Sequence, residues 1–232
     1  VMEDDMKQSG PGHRAALFLA SVSLAACAFA TPSRSLAAQA WTPPGATACQ
    51  FDGWTNSLKP AIPVRDGPSS DAARVGMLPV TADEEESEYT YSVRFRVTEA
   101  RNGWLKIDQA SDDYNEAEGA PPREVYRGSG WIRSDDARVG IQSGRGYAQP
   151  DSKSERLLDL GGDWLTDRGQ IQNIVACSGE WLLLDYQLNT RATSDGRLQD
   201  IPEKDRGIAR AWFRGVCSNE ETTCDMRSVD KD

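Results

Sequence analysis

Residues 61–70 read Ala61-Ile62-Pro63-Val64-Arg65-Asp66-Gly67-Pro68-Ser69-Ser70, a short apolar run that ends in a charged turn bearing glycine and proline. Such a segment is a strand followed by a chain reversal. The landmarks that follow are Val75 and Leu78, then Trp104-Leu105-Lys106-Ile107, then Gly130-Trp131-Ile132. A second series repeats the order: Tyr147-Ala148-Gln149-Pro150-Asp151, then Leu157 and Leu160, then Trp181-Leu182-Leu183-Leu184, then Trp212-Phe213. Val75 and Leu157 both lie seven residues after Pro68 and Pro150, and Leu78 and Leu160 both lie ten after them. The tryptophans are 27 residues apart in one series and 31 in the other. A recurring order of turn, strand and Trp-led strand is an internal repeat. At about 75 residues, each copy is small enough to need a neighbour or a bridge for stability.

The opening Ala61–Ser70 segment, Gly103-Trp104-Leu105-Lys106-Ile107 and Gly130-Trp131-Ile132 resemble a bacterial SH3 domain (SH3b). The second copy resembles a more divergent member, with Tyr147-Ala148-Gln149-Pro150 in place of the Val-Arg signature and with Gly179-Glu180-Trp181 and Trp212-Phe213 kept. The resemblance implies an all-β chain of two small SH3-like barrels in tandem, over residues 58–133 and 139–216. Around them lie a signal peptide and short segment at 1–40, an N-terminal extension at 41–57, and a disulfide-bonded loop with a flexible tail at 217–232.

The residues support an all-β class on their own. Tyr91, Val93, Phe95 and Val97 alternate with Ser92, Arg94 and Arg96, as in a half-buried strand. The unbroken Leu182-Leu183-Leu184 run predicts a strand covered on both faces, which places the interface between the copies there. Between these lie polar stretches: Asp83–Glu88 with five acids in six residues, a long insertion at 108–126, and a connection at 187–207. The tail from Asp225 to Asp232 reads as frayed.

Residues 15–30 are sixteen residues without a charge, preceded by Lys7, His13 and Arg14, the pattern of an export signal. The stretch is shorter than the roughly 20 residues of a membrane span, so no transmembrane segment is expected in the mature chain. Ala28-Phe29-Ala30 and Ala38-Gln39-Ala40 are both small-x-small cleavage sites, and Leu24-Ala25-Ala26-Cys27 resembles a lipobox that would lipidate Cys27. The chain is therefore expected in the periplasm or medium, either free or lipid-anchored through Cys27. Four cysteines remain beyond the leader, and an even number in an exported chain favours two disulfides. Three connectivities are open; a local bridge across the short polar loop between Cys217 and Cys224 would leave Cys49 for Cys177.

Composition narrows the chemistry. The only histidine is His13, within the leader, so the mature chain has no Ser-His-Asp or Cys-His site and no imidazole for zinc. Cys177-Ser178-Gly179 lacks a base, the acid-rich loops lack EF-hand spacing, and no phosphate-binding glycine loop is present. No cofactor and no metal are expected. Removing residues 1–40 takes away three acids and three bases and leaves the net charge of −10, which disfavours nucleic acid. Trp104 and Trp181, and Trp131 and Trp212, hold matching repeat positions and are first of all packing residues. Tyr126, Trp131, Tyr147 and Trp164 are the candidates to expose a ring along a groove. SH3-like domains bind wall peptides and glycans through such surfaces, and no catalytic domain accompanies the pair. The expectation is a non-enzymatic envelope binding or adaptor module for a protein or peptidoglycan component. A purely structural accessory subunit is the alternative, and a carboxylate-based wall hydrolase the remote third.

Overall fold

The computed structural model describes residues 39–56, 61–79, 92–112, 121–217 and 229–230. The leader, Cys27, Asp83–Glu88, Tyr91 and Cys224 lie outside the described residues. The class is all-β. Strands β1 (Thr47–Thr55), β2 (Ala61–Arg65), β3 (Arg74–Pro79), β4 (Arg94–Arg101), β5 (Trp104–Asp112), β6 (Arg123–Arg133) and β7 (Ala137–Arg138) form a sheet in the order β3-β2-β6-β5-β4-β1-β7. After β8 (Gly140–Ile141) come β9 (Arg145–Tyr147), β10 (Arg156–Asp159), β11 (Gly169–Ser178) and β12 (Trp181–Leu188). The hairpin β13 (Thr190–Ala192) and β14 (Leu198–Asp200) precedes β15 (Ile208–Phe213) and β16 (Val216–Cys217). The second sheet runs β10-β9-β15-β12-β11, and β16 pairs with β8. Both sheets are open among the described residues. A single helical turn, α1 (Leu165–Arg168), precedes β11.

The repeat read from the sequence reappears as geometry. The order β3-β2-β6-β5-β4 recurs strand for strand as β10-β9-β15-β12-β11. Between β2 and β3, Asp66 N donates to Ala73 O at 2.9 Å, Ser69 N to Gly67 O at 2.9 Å and Ala72 N to Ser69 O at 3.2 Å. Exactly matching bonds, displaced by 82 residues, join Ala148 to Glu155, Asp151 to Gln149 and Ser154 to Asp151. Pro68 and Pro150 occupy the same place in these turns. Arg133 lies 5.9 Å over the Trp104 ring and Arg214 5.6 Å over Trp181, a cation–π contact made twice.

The two sheets share one core. Ile62, Val64, Phe95, Val97, Leu105, Ile107 and Ile132 of the first sheet belong to the same buried cluster as Ile174, Leu182, Leu184, Ala211 and Phe213 of the second. Leu183 faces the other way, into a cluster with Tyr147, Ala176, Trp181 and Trp212. The apolar run of β12 is thus covered on both faces, as its composition predicts. Residues 39–42 form part of the second cover. Trp212 Nε1 donates to Trp41 O at 2.8 Å, Trp41 N donates to Ala148 O at 2.7 Å, and the two indoles stack at 6.1 Å.

Four stretches hold more structure than the sequence indicates. Residues 47–55, assigned to an extension, are a full strand between β4 and β7, because their alternate residues Phe51, Gly53 and Thr55 are buried. The described ends of the supposed insertion at 108–126 are strand, since β5 continues to Asp112 and β6 begins at Arg123, with the Arg123 guanidinium bridging the buried Asp112 carboxylate at 2.7 and 3.1 Å. The connection at 187–207 contains β13 and β14. The tail is held at Val229 and Asp230: Arg214 Nη2 donates to Val229 O at 2.7 Å, and the Asp230 carboxylate accepts from Ser143 Oγ at 2.8 Å and Gly144 N at 2.6 Å.

Cys49 and Cys177 are joined in a disulfide that ties β1 to β11 across 128 residues of chain. Cys217 is also disulfide-bonded. Closing so long a loop removes much of the unfolded chain's freedom. Replacing Cys49 and Cys177 together by alanine is expected to lower the unfolding free energy by about 3–5 kcal/mol in urea titration. A loss below about 1 kcal/mol would show that the shared core alone fixes the two sheets.

Candidate functional site

A groove of about 760 Å³ opens along the β5–β6 hairpin, with Asp108, Gln109, Glu124, Tyr126, Arg127 and Ser129 among its lining. Its shape follows from a break in the ladder. Asp108 pairs with Ser129 and Ala110 with Tyr126, so Arg127 and Gly128 on one strand and Gln109 on the other bulge out of register. Gly128 adopts φ +108° and Gln109 φ +55°. Glycine takes such a conformation freely, whereas a glutamine there is held at a cost of about 1–3 kcal/mol. Bulges of this kind re-aim side chains.

Tyr126 supplies the aromatic wall. Its ring lies where a Cβ on Gly76 would have to be, 2.7 Å from the Tyr126 Cδ2, although β2 separates β3 from β6 in the sheet. The sheet therefore curls enough to bring its β3 edge back over β6. Gly130 permits the curl, because a Cβ there would overlap Val64 and stand 3.0 Å from the Arg65 carbonyl. The phenol donates to Ser129 O at 3.4 Å, and Arg127 is bound to Glu124 at 2.6 Å.

Asp108 differs from these groups. Its Oδ1 is buried without a hydrogen-bond partner. The repeat shows what is missing. Asp108 and Asp185 each lie four residues after the leading tryptophan of their copy, and each is the pairing partner of the residue two before the later tryptophan. In the second copy that residue is Arg210, whose Nε and Nη2 reach the two Asp185 oxygens at 2.6 and 3.0 Å. The Asp185 carboxylate raises the Arg210 pKa, chiefly through this hydrogen bond. In the first copy the position is Ser129, and no guanidinium is supplied there.

Of the four ring candidates, only Tyr126 lines this groove. Trp131 follows it on β6 but is buried, with 7% of its surface exposed. Tyr147 is only 2% exposed, packed edge-on against Trp181 at 5.4 Å, so it presents no ring to a ligand. Trp164 is half-buried where the chain enters α1, on another element. Trp104, Trp181 and Trp212 are buried. Asp108 was not singled out from the sequence, although the Trp-x-x-x-Asp spacing stands in both copies. Among the described residues no group of His, Cys, Asp and Glu is placed to hold a metal ion, and no helix is long and apolar enough to cross a membrane.

Compared with protein-family models, curated proteins and solved structures, the chain matches none.

The two aspartates should respond oppositely to the same change. Asp185→Asn weakens a charge-assisted pair and is expected to destabilise by about 1–3 kcal/mol in denaturant titration. Asp108→Asn removes a buried, unpaired carboxylate oxygen and is expected to be neutral or to stabilise by about 1 kcal/mol. Equal destabilisation by both would mean that Asp108 is already satisfied.

Proposed function

We propose that the chain is a non-enzymatic binding or adaptor module of the bacterial envelope, built from two SH3-like halves, and that the β5–β6 groove receives a cationic group of its ligand. The observation that carries this reading is the unpartnered Asp108 Oδ1 beside Ser129, where the other copy places a bidentate arginine. A guanidinium or ammonium from outside would stand where Arg210 stands in the second copy. Tyr126 offers an apolar wall for the stem of that group. Charged hydrogen bonds to such a carboxylate contribute roughly 1.5–3 kcal/mol, enough for a specific though modest contact. The acidic balance of the chain adds long-range attraction for a basic protein segment or an amine-bearing wall peptide. The Cys49–Cys177 disulfide supports an oxidising compartment, and residues 15–30 support export to it.

Sedimentation with purified peptidoglycan, alongside capture of envelope proteins on the immobilised chain, tests the proposal. Retention by one of these partners is expected, with at least about tenfold loss on Asp108→Asn and on Ser129→Arg, which fills the groove with the second copy's own cation. Retention unchanged by both variants would remove the groove from the function. Release of muropeptides by the protein alone would overturn the non-enzymatic reading.

A further inference from the structure

The two sheets differ at one edge. In the first, β4 carries β1 on its outer side, where Trp54 is paired with Arg94, Gly53 with Phe95, and Thr55 N donates to Val93 O at 2.9 Å. In the second, β11 is itself the edge. The hairpin turns fix the equivalence: Arg101 pairs with Trp104 as Ser178 pairs with Trp181, which sets Val93–Phe95 opposite Gln170–Gln172. Toward its C-terminal end β11 is covered, since Cys177 N donates to Thr47 Oγ1 at 3.0 Å and Cys177 is bonded to Cys49. At Gln170–Gln172 the only strand hydrogen-bonded to it among the described residues is β12. The ladder to β12 skips Gln172, so that residue is bulged out of register. A strand edge with unmet N–H and C=O groups is a template for another strand.

A pocket of about 420 Å³ lies against this open stretch, lined by Trp54, Asn56, Arg138, Gln170 and Gln172 among others. Arg138 is the one cationic residue in the lining. Its Nη1 donates to the main-chain oxygens of Asp135 at 3.1 Å and Ala137 at 2.8 Å, and among the described residues no carboxylate forms a salt bridge with it. The Asp135 carboxylate is bound to Arg133 instead, at 3.0 Å. Burial lowers the Arg138 pKa, while Asp135 and Asp136 raise it in part. A partly desolvated guanidinium bound only to carbonyls retains donors for a carboxylate.

We infer that the open edge of β11 at Gln170–Gln172 takes up an extended peptide as an added strand, with a carboxylate of that peptide on Arg138. The occupant follows from two independent features. The equivalent edge of the first copy is filled by a strand, and the lining offers a cation without an acid. Main-chain pairing supplies affinity in this mode, and the charged contact sets register. Trp54 and the two glutamine amides flank the added strand. This surface shares no residue with the β5–β6 groove.

The test uses acetyl-Thr-Val-Thr-Val with a free C-terminus, followed by amide and side-chain resonances of the full chain. Saturable shifts at Gln170–Gln172 are expected, with a Kd on the order of 1 mM. The C-terminal amide of the same peptide should bind at least about tenfold more weakly, a difference that Arg138→Gln abolishes. An amidated peptide with aspartate at the third position tells whether a side-chain carboxylate serves as well as the terminal one. Gln172→Ala should weaken binding while leaving Arg138 in place, which guards against a folding defect in Arg138→Gln. N-methylation of alternate peptide bonds should abolish binding, and Asp108→Asn should leave it unchanged. Absence of saturable shifts, equal binding of acid and both amides, or tolerance of N-methylation would overturn the inference.

Discussion

Over Trp181–Leu184 strand β12 has no face toward water, and the rest of the molecule is arranged around that fact. Leu182 and Leu184 enter the core between the two sheets, while Leu183 points to the opposite side among Tyr147, Trp181 and Trp212. An antiparallel sheet ordinarily has one wet face, so three consecutive buried leucines demand two covers. The first sheet is one cover. The second is built from the indoles and from residues 39–42, which Trp212 holds by both a stacked ring and an Nε1 hydrogen bond. The Cys49–Cys177 bond ties β1 to β11 across the same junction, so covalent and apolar constraints act together.

Comparing the two copies position by position shows where they differ. The strand order and the β2–β3 and β9–β10 turns are shared, so a difference between equivalent positions isolates what each copy has lost or gained. Arg210 neutralises Asp185, whereas Ser129 leaves the matching oxygen of Asp108 bare. β1 closes the edge of β4, whereas among the described residues no strand is hydrogen-bonded to the outer edge of β11 at Gln170–Gln172. A buried unmatched oxygen and an unpaired edge each reduce stability, and neither is needed for the fold, since the other copy manages without it. Such departures from consistency between levels are what the two proposals above rest on.

Much of the architecture was legible because packing leaves a periodic trace. The turn residues around Pro68 and Pro150, the alternation through Val93, Phe95 and Val97, and the Leu182–Leu184 run each predict what the structure contains. The pairing of Cys49 with Cys177 was one of three open connectivities, favoured once the short Cys217–Cys224 loop was taken as a local bridge. Strand β1 escaped because its alternation, Phe51, Gly53, Thr55, buries a glycine and a threonine that carry no hydrophobic signal. Polarity misled again at the β5–β6 hairpin, where the buried Asp112 is made tolerable by Arg123, a partner eleven residues away. Two of the four aromatic candidates, Trp131 and Tyr147, are buried for a related reason. Ring exposure depends on what lies opposite, and nothing in residues 126–164 states that Tyr147 faces Trp181. Asp108 could have been found by aligning the copies, since both contain Trp-x-x-x-Asp and only one has arginine two residues before its later tryptophan.

The two copies also carry unequal loads. The described residues near both ends of the compact unit close on the second: Trp41 stacks on Trp212, and Asp230 accepts from Ser143 and Gly144 while Arg214 holds Val229. Its aspartate is paired and its tryptophans are covered, so its outer face is committed to holding the chain together. The first copy is relieved of that work by the shared core. It can therefore tolerate a glutamine at φ +55°, a bulged ladder and a bare carboxylate oxygen without losing its fold. Strain of this order, about 1–3 kcal/mol, persists only where surrounding structure over-determines it. The shared core is part of that surrounding structure, since Ile107 and Ala110, on either side of the bulge, are buried in the same cluster as Leu182 and Leu184.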